Sequence, residues 1–561
     1  MPAAVATSDA PPRVSRLLTF LDRWHRPLLA ALIILGTARI ALTYHVFNHT
    51  SDEPAHIACG MEWLDKQVYQ WEVQHPPLAR VASALGPYLL GIRSQGTQPG
   101  FEESMWVEGT SVLYKDNHYD ISLTAARAGI LPFFWIACLV VYYWGKREFN
   151  PRIGLLAVFF FSFIPTVLAH SGLATTDVAL TAFLGLSFLT GIIWVEDPTS
   201  KHAVWLGVAG GLAVLSKFSS LLFFPSAAGL AIGYYAIVWG RGTPWWEAIR
   251  KRVPSLAVAA MVACVVVWAG YRFSFGHVDG LPFSVPAPEL FKGIQEVQKH
   301  NAQGHLGYLL GENRMHGWWY FFEVALLVKT PIAFLVLMTL GCAPAMTRRS
   351  TFPKAWLPLC FSSSILIVSA FGGINIGLRH VLPVFIGFSI LAALALDWLL
   401  QRPAGWSKVG AGILVAWFMA SSLLAHPDYL AYFNEVAGSH PENILVDSDL
   451  DWGQDMKRLS NRLRELGAKE VTVSSLIIAD FDQLGFPNVK AVRVDRPEPG
   501  WNAVGFTKVK HRFAMFVDRP DVTLWIDTPP REQVGKSMLL WYFAYPKSDP
   551  AQPSAGAPAP R

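Results

Sequence analysis

Apolar residues in this chain gather in long runs separated by polar connections. Runs of spanning length fall at approximately 27–46, 128–145, 153–169, 178–195, 203–216, 219–240, 253–272, 321–341, 356–373, 381–400 and 407–425. A helix needs about 20 such residues to cross a bilayer, so the pattern predicts about eleven membrane spans. The 203–216 run is short enough to be re-entrant or tilted. Every second connection is short and mostly basic, as with Lys146, Arg147 and Arg152, then Lys201, then Arg250, Lys251 and Arg252. Basic loops stay in the cytoplasm, which predicts an inside start and an outside finish. The outer connections are then 47–127, about 170–177, the turn at 217, 273–320, 374–380 and everything after 425.

Beyond His426 the pattern changes. Ile444–Val446 reads as a short strand, Met456, Leu459, Leu463 and Leu466 recur at helical spacing, and Val471–Leu476 is rich in strand formers. The segments RFAMFVD and VTLWID also read as strands. The fold class expected is a polytopic α-helical membrane protein with a small C-terminal extracytoplasmic α/β domain. Its parts are a cytoplasmic tail at 1–26, a transmembrane domain at 27–425, the α/β domain at 426–546 and a disordered Pro/Ala/Gly/Ser tail at 547–561. The first residues are polar and then basic, and lack the apolar core and small-residue cleavage site of a removed signal. No internal repeat is visible.

Composition agrees with this. Hydrophobic residues make up 52% of the 561 and charged ones only 16%, against roughly a quarter in soluble proteins. The 22 Trp suit the membrane–water interface. A net charge of +5 with no basic cluster gives no support to nucleic-acid binding. The five cysteines, an odd number, have no metal-type spacing and form no complete disulfide framework.

The candidate chemistry starts in Ser51–Arg80, the stretch after the first span. Asp52 and Glu53 are adjacent acids at the expected membrane surface, either as helix-start groups or as a general base with a helper. Asp177 opens the fourth span on the same face, where it is either a first-turn helix acid or one of two acids that position an acceptor or a divalent cation. Lys217, Arg379 and His380 put cations where the inside-positive rule does not expect them. Ionisable groups near the apolar core cost around 3 kcal/mol on insertion scales, so they default to function, and Arg suits a lipid phosphate. Lys329 is a further intramembrane cation, either structural or substrate-lining. His75, before two prolines, and His56 read first as structural hydrogen-bonded residues. His300, His305, His316 and Glu312 of the 273–320 loop are placed by nothing in the sequence.

DEPAHIACGMEWL, HPPLAR and ATTDVALTAF, with GLAVLSKFSSLLFFP, WWYFFEVALLVKTP, NIGLRHVLPVF and HPDYLAYFNEVAGSHPENILVDSDLDWGQD, resemble in order and placement the GT-C class of glycosyltransferases. The nearest resemblance is to glycosyltransferase family 39, the protein O-mannosyltransferases and lipid A aminoarabinose transferases. It implies transfer of a sugar from a polyprenyl-phosphate donor to an acceptor hydroxyl at the outer face, with inversion. By position, Asp52 is then the general base, Glu53 the second acid and Asp177 the acid of the second outer loop. His75, Lys217, Arg379 and His380 become substrate contacts, the cations for the phosphate. Some relatives use a metal and others do not, so no metal ligand is carried over. The C-terminal region is not the β-trefoil module of eukaryotic protein O-mannosyltransferases, which points to a bacterial plasma-membrane branch with a lipid, glycan or protein acceptor. A transporter or lipid flippase is the main alternative, and would show inverted repeats and acids near the midplane. An anchor for the C-terminal domain would need only one span.

Overall fold

The computed structural model describes residues 13–97, 104–240, 244–280, 282–345, 354–491, 497–511 and 525–545. Each apolar run lands on a helix or a bent helix pair. In chain order the helices are α1 (Arg13–Ala41), then α2 (Glu53–Met61), α3 (Pro77–Leu89), α4 (Ser104–Leu113) and α5 (Tyr119–Ala128) through the connection at 47–127. The bundle continues with α6 (Leu131–Glu148), α7 (Pro151–Phe163), α8 (Pro165–Ser171), α9 (Asp177–Glu196), α10 (Ser200–Ser216), α11 (Ser220–Val238) and α12 (Trp245–Gly270). After α13 (Pro288–Gln303) come α14 (Phe321–Lys329), α15 (Ile332–Ala345), α16 (Trp356–Ser369), α17 (Val384–Gln401) and α18 (Gly405–Leu424).

The expectation of about eleven spans is corrected in one respect. Among the described residues six helices are long and apolar enough to cross a membrane, or eight if each bent pair counts as one span. The pairs are α7–α8, bent by 71°, and α14–α15, bent by 118°. Both bends have the same cause. Ile164 precedes Pro165 and Thr330 precedes Pro331, and a residue before proline is driven out of the helical region; both are extended, at ψ 122° and ψ 135°. The other three runs fall short: α10 has 17 residues, α16 has 14, and the apolar part of α1 lies between Arg26 and Arg39. Helices α9 and α17 are mostly enclosed and form the centre, whereas α11, α12 and α18 turn most of their surface outward.

The charged residues at the end of the bundle opposite Asp177 are tied together. Arg147 and Lys354 share Glu196 at 2.6 and 2.7 Å, and Arg152 holds Asp397 at 2.6 Å and also pairs with Asp22.

Past α18, Met456, Leu459 and Leu463 are the buried face of α19 (Met456–Glu465), as their spacing predicts. A five-stranded sheet follows, with strands β1 (Glu470–Ser474), β2 (Asn488–Ala491), β3 (Gly500–Gly505), β4 (Glu532–Val534) and β5 (Met538–Phe543). Their order in the sheet is β2-β1-β3-β5-β4. β1 pairs parallel with β2 and β3, and β5 antiparallel with β3 and β4. Two sequence readings need correction. Ile444–Val446 is no strand but buried loop after a 3₁₀ turn, since a short apolar run does not distinguish the two. The Trp525–Asp527 half of VTLWID is a 3₁₀ turn. Residues 522–524, RFAMFVD and the tail at 547–561 lie outside the described residues.

The sheet does not stand apart. Ile57, Met61, Val112, Leu113 and Leu123 of the connection at 47–127 share one apolar core with Met456, Leu459, Leu463, Val471, Ala503 and Leu540. Burial here binds the two regions at roughly 25 cal/mol per Å² of apolar surface.

Candidate active site

Asp52 is the N-cap of α2, with Pro54 inside the first turn, where proline's fixed φ suits a helix and its missing N–H costs nothing. The helix-start reading is therefore right about position. The Asp52 side chain, however, makes no capping hydrogen bond. It reaches Arg379, with Oδ2 3.0 Å from Nη1. Arg379 sits in the 3₁₀ turn Leu378–Val381, and the same Nη1 lies 3.7 Å from Asp177 Oδ2. Asp177, the first residue of α9, is fully buried and accepts a 2.6 Å hydrogen bond from Lys217 Nζ on its other oxygen. Lys217 occupies the extended break between α10 and α11, at φ −164° and ψ 137°.

Two acids and two cations thus alternate as Asp52, Arg379, Asp177, Lys217, from four connections on the outer side of the predicted topology. The formal charges cancel, which is how an apolar bundle tolerates them. Three further groups fix Arg379 or line the chain. Ser448 Oγ accepts from Arg379 Nε at 3.2 Å, and the guanidinium carbon lies 4.1 Å from the Trp452 ring centre. His170 packs edge-on to Trp452.

Around this chain, side-chain atoms are enclosed without a hydrogen-bond partner: His170 Nδ1, Thr175 Oγ1, Asp177 Oδ2, Ser219 Oγ, Ser220 Oγ and His380 Nε2. Buried polar atoms are normally satisfied. A cluster of exceptions around two cations suits a polar ligand. His380 is kept largely neutral, since burial and then Lys217 and Arg379 hold its pKa well below the usual histidine value.

Glu53 goes elsewhere. Its carboxylate takes both Arg127 Nε and Nη2 at 2.8 Å and also accepts from the backbone N–H of Thr50 and Ala174 at 2.8 and 2.9 Å. Both side chains are 0–1% exposed. Burial pushes this carboxyl up, but Arg127 and the backbone donors outweigh that and leave it below the ordinary value. With every lone-pair direction used, Glu53 has none left for an acceptor. The pairing of Asp52 and Glu53 as two working acids is corrected to one acid at the site and one beneath it.

His75 belongs to a neighbouring lattice. Its Nδ1 lies 3.2 Å from Glu72 and from Arg80, which form an ion pair, and Arg80 Nε donates to His56 Nδ1 at 3.0 Å. Lys329 is structural: Nζ donates to the Leu430 and Asp449 carbonyls, the first at 2.7 Å. His300 meets Gln74 at 3.1 Å and His305 at 3.3 Å, whereas His316 and Glu312 are exposed. Sequence reasoning missed His170, Ser448 and Trp452; the density of polar residues in VDSDLDWGQD was the available signal for the last two.

A divalent ion does not fit these donors. The two acids are bridged by Arg379, and the described residues contain no group of three or more His, Cys, Asp or Glu arranged to hold a metal.

The long apolar helices are those of an integral-membrane bundle. The sequence model of one family, dolichyl-phosphate-mannose-protein mannosyltransferase, matches residues 121–271. Among solved structures, ArnT from Cupriavidus metallidurans bound to undecaprenyl phosphate is 12% identical, over 91% of this chain and 97% of its own, with a TM-score of 0.48. The oligosaccharyltransferase AglB from Archaeoglobus fulgidus, with an inhibitory peptide and a dolichol-phosphate, is 12% identical over 88% and 70%, with a TM-score of 0.48. No curated protein sequence matches the chain.

Proposed function

We propose that this protein is a membrane glycosyltransferase that moves a sugar from a polyprenyl-phosphate donor to an acceptor hydroxyl, with inversion. One observation carries the reading: the alternating Asp52–Arg379–Asp177–Lys217 chain at one end of a membrane bundle. A transporter has less support, because these acids lie at helix ends on one face and no internal repeat appears.

The chemistry follows from charge. A lipid-phosphate donor brings a negative diester, and cleavage of its anomeric C–O bond leaves the electron pair on the phosphate oxygen. Arg379 and Lys217 are the cations to stabilise that growing charge. As Arg379 turns onto the phosphate, Asp52 is released from its 3.0 Å ion pair and its lone pairs are free for the acceptor hydroxyl. It then takes the proton of the acceptor hydroxyl while that oxygen bonds to the anomeric carbon from the opposite face. Asp177 remains with Lys217, and His380 stays neutral beside them. His75 and its lattice border the acceptor side.

The membrane is the bacterial inner membrane. The N-terminus is cytoplasmic, and the region from about 426 to 546 is an extracytoplasmic domain, in keeping with the basic short loops. Acceptors are lipids, glycans or proteins carrying a hydroxyl. The test is to incubate purified protein with labelled polyprenyl-phosphate mannose, the donor suggested by the matching family, and membrane extract. Label should appear on an acceptor with wild type and not with Asp52→Asn. Equal accumulation of label inside proteoliposomes by both proteins, without transfer, would favour a transporter.

A further inference from the structure

We propose that the outer segment Val446–Asp455 is a positioning clamp that sets Arg379 and the Asp52 loop against each other, with Ser448 and Trp452 as its positioning residues. This rests on the lipid-phosphate reading above and assigns a role to the VDSDLDWGQD stretch, which the transfer chemistry leaves unused.

The clamp grips the Arg379 connection at successive points. Ser448 Oγ accepts from Arg379 Nε at 3.2 Å and donates to the Ile376 carbonyl at 2.5 Å, so the single hydroxyl is committed in both directions. The Asp449 carboxylate accepts the Leu378 N–H at 3.1 Å, while its backbone carbonyl takes Lys329. Between them lies Gly377, at φ 157°, where an added Cβ would come 2.1 Å from Ser448 Oγ. Only glycine allows the two strands of chain to approach so closely.

The same segment grips the Asp52 loop. The Trp452 carbonyl accepts the N–H of Ser51, the residue before Asp52, at 3.0 Å. Asn48 donates to the Gly453 carbonyl and accepts from the Met456 N–H, each at 2.7 Å. The far side is fixed to the sheet end: Thr507 Oγ1 accepts from Asp447 N at 2.9 Å, and Asp451 accepts the Thr507 N–H at 2.8 Å. One short segment therefore joins the base, the cation and the outer sheet.

Two of these contacts fall on the guanidinium itself. Trp452 covers its face at 4.1 Å and Ser448 holds its Nε edge. Bidentate binding of a phosphate needs the plane of the guanidinium fixed, since the geometry of the fork carries the recognition. A segment that served only to hold the outer domain in place would need neither contact.

Double-mutant cycles on the full-length protein test the clamp, reading both equilibrium binding of undecaprenyl phosphate and transfer kinetics. Ser448→Ala and Trp452→Leu should each weaken binding and raise KM by about tenfold, the scale of a hydrogen bond to a charged group. Trp452→Phe, which keeps a ring over Arg379, should recover most of the loss. In an Arg379→Ala background neither change should cost anything further. Losses that multiply with Arg379→Ala, or that Trp452→Phe does not recover, would overturn the proposal. Hydrogen–deuterium exchange gives a reading free of any ligand. Amides at 376–380 and 49–52 should exchange faster in Ser448→Ala than in wild type, and unchanged exchange there sinks the clamp. Failure of the wild type to bind undecaprenyl phosphate would instead sink the functional reading, and the exchange result would still decide the clamp.

Discussion

Asp52 and Glu53 are neighbours in the chain, yet Arg379 answers the charge of one at 3.0 Å and Arg127, fully buried with it, answers the other at 2.8 Å. Their substitutions should therefore fail differently. Asp52→Asn removes the proposed proton acceptor and should lower kcat by about 10²- to 10⁴-fold, the usual weight of a general base, with an unchanged melting temperature. Glu53→Gln leaves Arg127 buried without its counter-charge and should cost roughly 3–5 kcal/mol of stability, seen as lost yield and a lower Tm. Asp447 supplies a pH effect. It sits at φ 55°, and burial pushes its carboxyl up to about 7, with Arg379 opposing. The folded state then holds a proton that the unfolded chain releases near pH 4, so stability falls as pH rises from there through about 7. Asparagine tolerates the same left-handed backbone and cannot ionise. Scanning fluorimetry should show the fall in Tm between pH 5 and pH 8 become smaller in Asp447→Asn than in wild type.

At the scale of elements, the bundle was readable because lipid demands long apolar runs, and each run fell on a helix or bent pair. The bends were readable in principle from Pro165 and Pro331, but a hydropathy window averages across them. Asp177, Lys217 and Arg379 stood out because a charge beside an apolar run is expensive, and their common side followed from alternation of the loops. The partner of Glu53 could not be read, since Arg127 lies 74 positions away with no periodicity linking the two. The misread strand at Ile444–Val446 owes its apolar character to packing as a buried loop. The link between α9 and the α10–α11 break yields a prediction of its own. Lys217→Met leaves buried Asp177 with only Arg379 at 3.7 Å, and should destabilise by about 3–5 kcal/mol and abolish transfer. Adding Asp177→Leu replaces the pair by apolar groups, and should restore thermal stability while transfer stays lost. Recovery of both would remove the pair from the reaction.

For the molecule as a whole, the question is whether the C-terminal sheet is an appendage or part of the proposed active site. Leu459, Leu463, Ala503 and Leu540 complete the core begun by Ile57, Met61, Val112 and Leu113, and Ser51 and Asn48 bond directly to the 452–456 backbone. Ending the chain after residue 425 would expose that half-core to water and release the Arg379 connection along with it. The helices of the bundle pack on one another, α9 against α6, α10 and α11 and α17 against α7, α15 and α16. A truncated protein should therefore still insert and extract in detergent as a helical bundle. Its first outer connection should lose protection: amides of α2, α4 and α5 should exchange many times faster than in the full chain, while those of α9 and α17 stay protected. Transfer should disappear together with that protection. Activity surviving the truncation would mean that Asp52 and Arg379 find each other unaided, and the sheet would then be cargo of the bundle and no part of its site.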